Sequence, residues 1–185
     1  YLTMDFKTEA EIIRALGKIH QRGYLYQGKK PVNWCLDCQS ALAEAEVEYE
    51  NKTSPAIDVG FEVKDMAALG KAFGVSLPGD AKVYAVIWTT TPWTLPANQA
   101  VSVHPEFTYQ LFKTEKGYLL LGSELAEACL KRYALSGEAV GHCQGKALDM
   151  LQLQHPFYER SVPVICGEHV TTEAGTGLVH TAPAH

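Results

Sequence analysis

Four threonine hydroxyls, at Thr89, Thr90, Thr91 and Thr94, and the amide of Asn98 fall within ten residues of one another, beside the large aromatic faces of Trp88 and Trp93. Neutral donors and acceptors packed this densely suit a small polar group, an ester or an ammonium, held next to an apolar side chain. Pro92 and Pro96 interrupt the segment, so it must be a stiff loop and not the continuation of the strand before it. A Thr-rich turn that bonds only its own backbone accounts for the composition equally well.

A second cluster is Gly175-Thr176-Gly177-Leu178-Val179-His180-Thr181-Ala182-Pro183-Ala184-His185. Gly175 and Gly177 permit close backbone approach, and a short apolar strand then delivers His180 at its end. There is no Gly-Lys-Ser/Thr, so this is not a phosphate loop. No Gly-x-Ser-x-Gly elbow occurs, which argues against a serine hydrolase. A lone His at a strand end also serves as plain hydrogen-bonded structure.

The third cluster is Trp34-Cys35-Leu36-Asp37-Cys38. Two thiolates at this spacing can supply half of a tetrahedral zinc site, but Cys129, Cys143 and Cys166 stand singly and form no second knuckle. The same spacing serves dithiol redox chemistry when the first thiol sits at a helix N-terminus. The residues alone leave three readings open: half a zinc site, a dithiol oxidoreductase using Cys35 and Cys38, or neither.

These clusters need elements to carry them. Thr8 and Glu11 form a capping box for a helix over 8–22, with Ile12, Leu16 and Ile19 in phase and Gly23 as its stop. Alternation at 43–50, with every acid on one side, predicts a half-solvated strand, and Ile57, Val59, Phe61 and Val63 repeat the pattern. A short helix is expected over 65–73. Further strands are expected at 83–88, 100–103, 107–112, 117–121, 162–165 and 178–180, with a hairpin turn at 114–117. One more helix is expected from a Ser123 cap to about residue 133. The resulting architecture is a β-rich α+β body, barrel-like over 53–185, with an arm over 1–52.

The 185 residues are 46% hydrophobic and 20% charged, ordinary for a chain with a buried core. No apolar run approaches the roughly 20 residues needed to span a bilayer. The net charge of −5 argues against a general electrostatic grip on nucleic acid. The charge is uneven: residues 1–33 hold six Lys or Arg against three acids, and residues 37–50 hold five acids and no base. Five cysteines in a well-cored chain suggest a reducing compartment. The start at Tyr1 and the end within the second cluster read as the edges of a piece of a longer polypeptide.

Taken together, the clusters resemble one family. Trp-Thr-Thr-Thr-Pro-Trp-Thr-Leu-Pro-Ala-Asn (88–98) and Gly-Thr-Gly-Leu-Val-His-Thr-Ala-Pro-Ala-His (175–185) look like the two signatures of the editing domain inserted in isoleucyl-tRNA synthetases. Residues 31–49, which hold the Cys-x-x-Cys, look like the arm that opens that insertion. Valyl and leucyl relatives carry an Arg after the Thr pair, whereas this chain has Thr91, and with His180 that points to the isoleucyl branch.

The resemblance implies a β-barrel-centred domain inserted in a nucleotide-binding catalytic domain. It implies hydrolysis of valine wrongly esterified to the 3′ end of tRNA(Ile). Thr89, Thr90, Thr91 and His180 would form the catalytic end of the pocket, and Trp93, Thr94, Asn98, Gly175 and Gly177 would bind substrate. His180 would close the side-chain end as a steric filter, without transferring a proton. Thr91 and Asn98 are expected to matter for hydrolysis and not for folding. No cofactor is expected within these residues; zinc, with partner cysteines elsewhere, and ATP chemistry belong to the full-length enzyme. An Asp that holds the substrate's ammonium group would follow His185. The implied partners are the tRNA end, the valine ester and the catalytic domain of the same chain, in the cytoplasm and with no membrane. A tRNA-binding module without catalysis is the remaining alternative.

Overall fold

The structure is a computed structural model that describes residues 2–183, so Ala184 and His185 of the second cluster lie outside the described residues. The chain forms two compact units, Tyr1–Glu50 and Asn51–His185.

In the first unit, α1 (Phe6–Gln21) begins two residues before the expected start. Its cap is Asp5, whose carboxylate accepts from the Thr8 N–H at 3.3 Å, and not a Thr8–Glu11 box. Gly23, at φ 77°, follows the last turn as expected. Ile12, Leu16 and Ile19 line one side of α1, yet each is roughly half exposed. Strands β1 (Asn33–Cys35) and β2 (Ser40–Leu42) pair antiparallel, so the Cys-x-x-Cys occupies a hairpin.

The strand expected at 43–50 is absent. Residues Glu44–Glu46 form a 3₁₀ turn closed by the Glu46 carboxylate, which accepts from the Ala43 N–H at 2.7 Å. Alternation makes a strand only where a partner offers a ladder, and among the described residues no strand pairs with Val47 or Tyr49; helix-favouring Ala and Glu coil locally instead.

The second unit contains β3 (Ile57–Glu62), α2 (Met66–Phe73), β4 (Val83–Thr89), β5 (Ala100–Val103), β6 (Thr108–Thr114), β7 (Gly117–Gly122), α3 (Ala126–Arg132), β8 (Gly137–Gln144), β9 (Gln152–Gln154), β10 (Ser161–Cys166) and β11 (Leu178–Thr181). A five-stranded sheet runs β3-β4-β7-β6-β8 and a four-stranded sheet runs β11-β5-β10-β9. The fold is therefore α+β, as expected, but it is not a closed barrel. Among the described residues, a single bridge between Val63 and Leu153 links the edge strands of the two sheets, with no ladder continuing from it. Closure would need a full strand of such pairs.

Alternate residues of β4 explain the layering. Val83, Ala85 and Ile87 enter the main core with Phe61, Leu120, Leu153 and Val164. Val86 faces the other way and joins Leu119, Leu121 and α3 residues Ala126 and Cys129. The centre of the five-stranded sheet is thus covered on both faces, which is why β4 and β7 read as unbroken apolar runs. α3 starts later than expected, with Leu125 at its cap position. Ser123 instead sends its N–H to the Thr108 carbonyl at 2.9 Å.

Candidate active site

The two clusters, some 80 residues apart in sequence, meet because β11 pairs antiparallel with β5. That register sets His180 opposite Val101 and Thr181 opposite Ala100. β5 follows directly from the Thr/Pro segment, so its partner strand must end beside that segment. The segment is a 3₁₀ helix over Pro92–Ala97. Pro92 opens it at no cost, since the first N–H groups of a helix lack partners anyway.

Hydrogen bonds fix the protonation of His180. The Thr94 hydroxyl has one hydrogen, and it goes to the Thr91 carbonyl at 2.8 Å. Thr94 Oγ1 must then accept from His180 Nε2, also at 2.8 Å. His180 Nδ1, left without a proton, accepts from Asn98 Nδ2 at 3.3 Å. The second Asn98 N–H donates to the Ala100 carbonyl at 2.8 Å. Flipping the amide would set oxygen against that carbonyl, so the orientation is forced. Burial favours the uncharged ring and holds His180 below the ordinary imidazole range. His180 is therefore neutral, and both ring nitrogens are engaged.

Asn98 is fully buried. Its Oδ1 has no hydrogen-bond partner among the described residues, so the amide keeps one acceptor in reserve. Thr89, at the end of β4, is buried; its Oγ1 accepts from the Thr91 N–H at 3.0 Å and lies 3.2 Å from Thr91 Oγ1. Thr90 and Thr91 are exposed, and the Thr90 carbonyl accepts from the Ser54 hydroxyl at 2.8 Å. The Trp93 ring is 66% exposed beside the cluster. Thr89, Thr91, Thr94, Asn98 and His180 thus form one hydrogen-bonded group, with Thr90 and Trp93 at its solvent edge.

Gly175 and Gly177 do their work one step behind this group. Both have positive φ, 88° and 80°. A Cβ on Gly177 would lie 3.0 Å from the Gly122 Cα, and one on Gly175 would lie 3.4 Å from the Trp88 ring. The Gly177 carbonyl accepts from the Tyr109 hydroxyl at 2.8 Å, and the Gly175 carbonyl accepts from the Cys129 thiol at 3.2 Å. Their close approach is to β7 and β4, and it aims β11 at the Thr segment. Next to Cys129, Arg132 forms two bonds to Asp58, at 2.6 and 3.0 Å, tying α3 to β3.

Two residues that sequence reasoning passed over, His155 and Arg160, also reach this segment, through the carbonyls of Leu95, Pro96 and Asn98. Their partners are backbone atoms, so no spacing or residue type could have revealed them.

Cys35 and Cys38 are free thiols, and the Cys38 N–H points to Cys35 Sγ at 3.3 Å. That contact lowers the Cys35 pKa from the ordinary thiol value. The helix N-terminus that a thioredoxin-type dithiol uses is replaced here by the β1–β2 hairpin. No third His, Cys, Asp or Glu joins them to make a metal-holding group among the described residues. Two thiolates on a hairpin fit half of a tetrahedral zinc site. No helix among the described residues is long and apolar enough to cross a membrane.

The family model for class I tRNA synthetases (I, L, M and V) matches residues 1–157. The chain is 69% identical to an isoleucine–tRNA ligase of Dechloromonas aromatica and 66% identical to one of Nitrosomonas europaea. Each alignment covers all of this chain and 20% of the relative. The chain therefore spans about a fifth of the length of these relatives. Its fold is similar to the crystal structure of the P. knowlesi cytosolic leucyl-tRNA synthetase editing domain, at a TM-score of 0.59 and 10% identity, covering 74% of this chain and 62% of that one. With an editing-domain fold and a family match over most of its length, the chain belongs to the class I tRNA synthetases of the isoleucine, leucine, methionine and valine group.

Proposed function

We propose that this chain carries the editing site of an isoleucyl-tRNA synthetase and hydrolyses valine esterified to tRNA(Ile). The need is energetic: one missing methylene is worth only about 1–3 kcal/mol to a synthetic pocket, so a second, smaller pocket must remove the errors. The observation that carries the reading is the neutral, doubly bonded His180 beside the Thr cluster. A ring held on both nitrogens is suited to occupying space and poorly suited to shuttling protons.

The water oxygen bonds to the ester carbonyl carbon, the bond from that carbon to the ribose oxygen breaks, and the ribose oxygen takes up the proton. Valine and tRNA with a free terminal hydroxyl result. Thr89, Thr90 and Thr91 orient the ester and the water, Thr94 and Asn98 hold His180, and His180 blocks the space that isoleucine's extra methylene requires. Trp93 offers an aromatic face to the splayed 3′ end of the tRNA. In the longer cytoplasmic enzyme, Cys35 and Cys38 would contribute two ligands to a zinc site completed elsewhere, and the catalytic domain of the same chain would supply ATP-dependent activation.

A deacylation assay on the full-length ligase tests the reading. Release of valine from Val-tRNA(Ile) well above the uncatalysed rate is expected, with isoleucine left in place. Binding of the tRNA without hydrolysis would make the unit a recognition module.

A further inference from the structure

We propose that the hairpin joining β9 and β10 acts as a brace for the Thr/Pro segment: His155 and Arg160 position Asn98, and through it His180, and thereby set selectivity without touching substrate. The proposal rests on the editing reading above.

The geometry begins with His155, which is 1% exposed. Its Nδ1 accepts from the N–H groups of Phe157, at 3.1 Å, and Tyr158, at 3.2 Å, so that nitrogen carries no proton. Nε2 therefore carries the hydrogen and donates to the Leu95 carbonyl at 3.1 Å. The His155 N–H donates to the Arg160 carbonyl at 3.0 Å, which closes the hairpin and brings Arg160 to the same side. Arg160 Nη2 then donates to the Pro96 carbonyl at 3.0 Å and the Asn98 carbonyl at 2.5 Å. The guanidinium also lies over the Tyr158 ring, 5.6 Å from its centroid.

Three carbonyls at the end of one 3₁₀ helix are thus held by two side chains of one hairpin. The Leu95 carbonyl also accepts from the Asn98 N–H at 2.9 Å, whereas the helix supplies no N–H to the carbonyls that follow it. Here the added donors come from the loop between β9 and β10, which fixes the segment in space and not merely in local conformation. The residue at the end of that grip is Asn98, whose amide bonds His180 and the Ala100 carbonyl. Losing the brace leaves the Asn98 backbone free to shift, and with it the His180 ring that, on the editing reading, fills the space a larger side chain needs.

A purely structural role would lower stability and leave selectivity alone, so the test reads selectivity. Arg160→Ala, Arg160→Lys and His155→Asn are compared with wild type in the full-length ligase. The Asn side chain can still accept near Phe157 and Tyr158 but no longer reaches Leu95. Arg160→Ala is expected to reduce the preference for valyl over isoleucyl esters at least tenfold, mainly through kcat, with a cooperative melt retained. Arg160→Lys should recover most of the preference, and His155→Asn should shift it in the same direction as Arg160→Ala.

A second readout follows the His180 ring by NMR titration of the 185-residue chain. Burial should hold its midpoint below the ordinary imidazole range in wild type, and the midpoint should move up toward that range in Arg160→Ala. A preference and a midpoint both unchanged in Arg160→Ala and His155→Asn would overturn the brace, as would a lowered melting temperature with unchanged preference. If wild type releases no valine, the editing reading falls while the His180 midpoint still decides whether the brace exists.

Discussion

Asn98 is where composition misleads most at the residue scale. A polar residue in a Pro-stiffened loop reads as a substrate-binding side chain that folding does not need. Instead it is fully buried and joins two elements through its amide. Asn98→Ala should therefore cost stability as well as hydrolysis, about 1–3 kcal/mol for the buried partners left unpaired. Thr91→Ala, at an exposed position, should slow hydrolysis with little change in the melt. Thermal denaturation of the two variants side by side checks this, and equal melting temperatures would mean that the Asn98 bonds contribute nothing. His155 and His180 give the fold a pH dependence of definite sign. Burial lowers the pKa of both rings, so in this range the unfolded chain binds protons more readily than the folded one. Their contribution is complete above about pH 6.5 and is lost as pH falls through the lowered folded values. The melting temperature should drop as pH falls below about 6.5, and the drop should be smaller in His155→Asn; a flat profile would contradict the assignment of neutral rings.

At the scale of elements, legibility followed the strength of the local pattern. β4, β5, β7 and β11 are rich in Val, Leu and Ile and were readable from type alone. β8, Gly-Glu-Ala-Val-Gly-His-Cys-Gln, was not, since it owes its place to pairing with β6 across a bulge near Leu111 and Phe112. The alternation at 43–50 deceived because a period of two is only half of a strand; the other half is a neighbour. The meeting of Thr94 and Asn98 with His180 came from the family resemblance, since nothing in either cluster encodes the β5–β11 pairing. Gly177 tests how much the aim of β11 depends on its approach to β7. With a φ of 80° and a prospective Cβ 3.0 Å from the Gly122 Cα, Gly177→Ala should cost about 1–3 kcal/mol in strain. It should also raise isoleucyl-ester hydrolysis by displacing His180 from the space it fills. A variant with the wild-type melting temperature and wild-type hydrolysis would show that the close approach is incidental.

For the whole molecule, the division of labour follows the core. Among the described residues, every buried hydrophobic residue lies at position 61 or beyond, and α1 buries none of its side chains. A 16-residue helix is near the length at which isolated helices are marginal, so tertiary stability resides in Asn51–His185. A chain beginning at Asn51 should unfold cooperatively, within a few degrees of the 185-residue chain by calorimetry; loss of the transition would place essential packing in the first unit. Selectivity is the property that all three scales converge on. Sheet pairing delivers His180, the glycines aim it, and Thr94 and Asn98 hold it neutral; on the proposed function, the ring fills the space that a larger side chain would need. The decisive measurement is hydrolysis of Val-tRNA(Ile) and Ile-tRNA(Ile) by the full-length His180→Ala ligase. The expected result is new hydrolysis of the isoleucyl ester, with valyl hydrolysis reduced far less than the 100- to 10,000-fold, roughly, that removing a general base would produce. Abolished valyl hydrolysis with no gain on the isoleucyl ester would show that His180 transfers a proton and that the steric account is wrong.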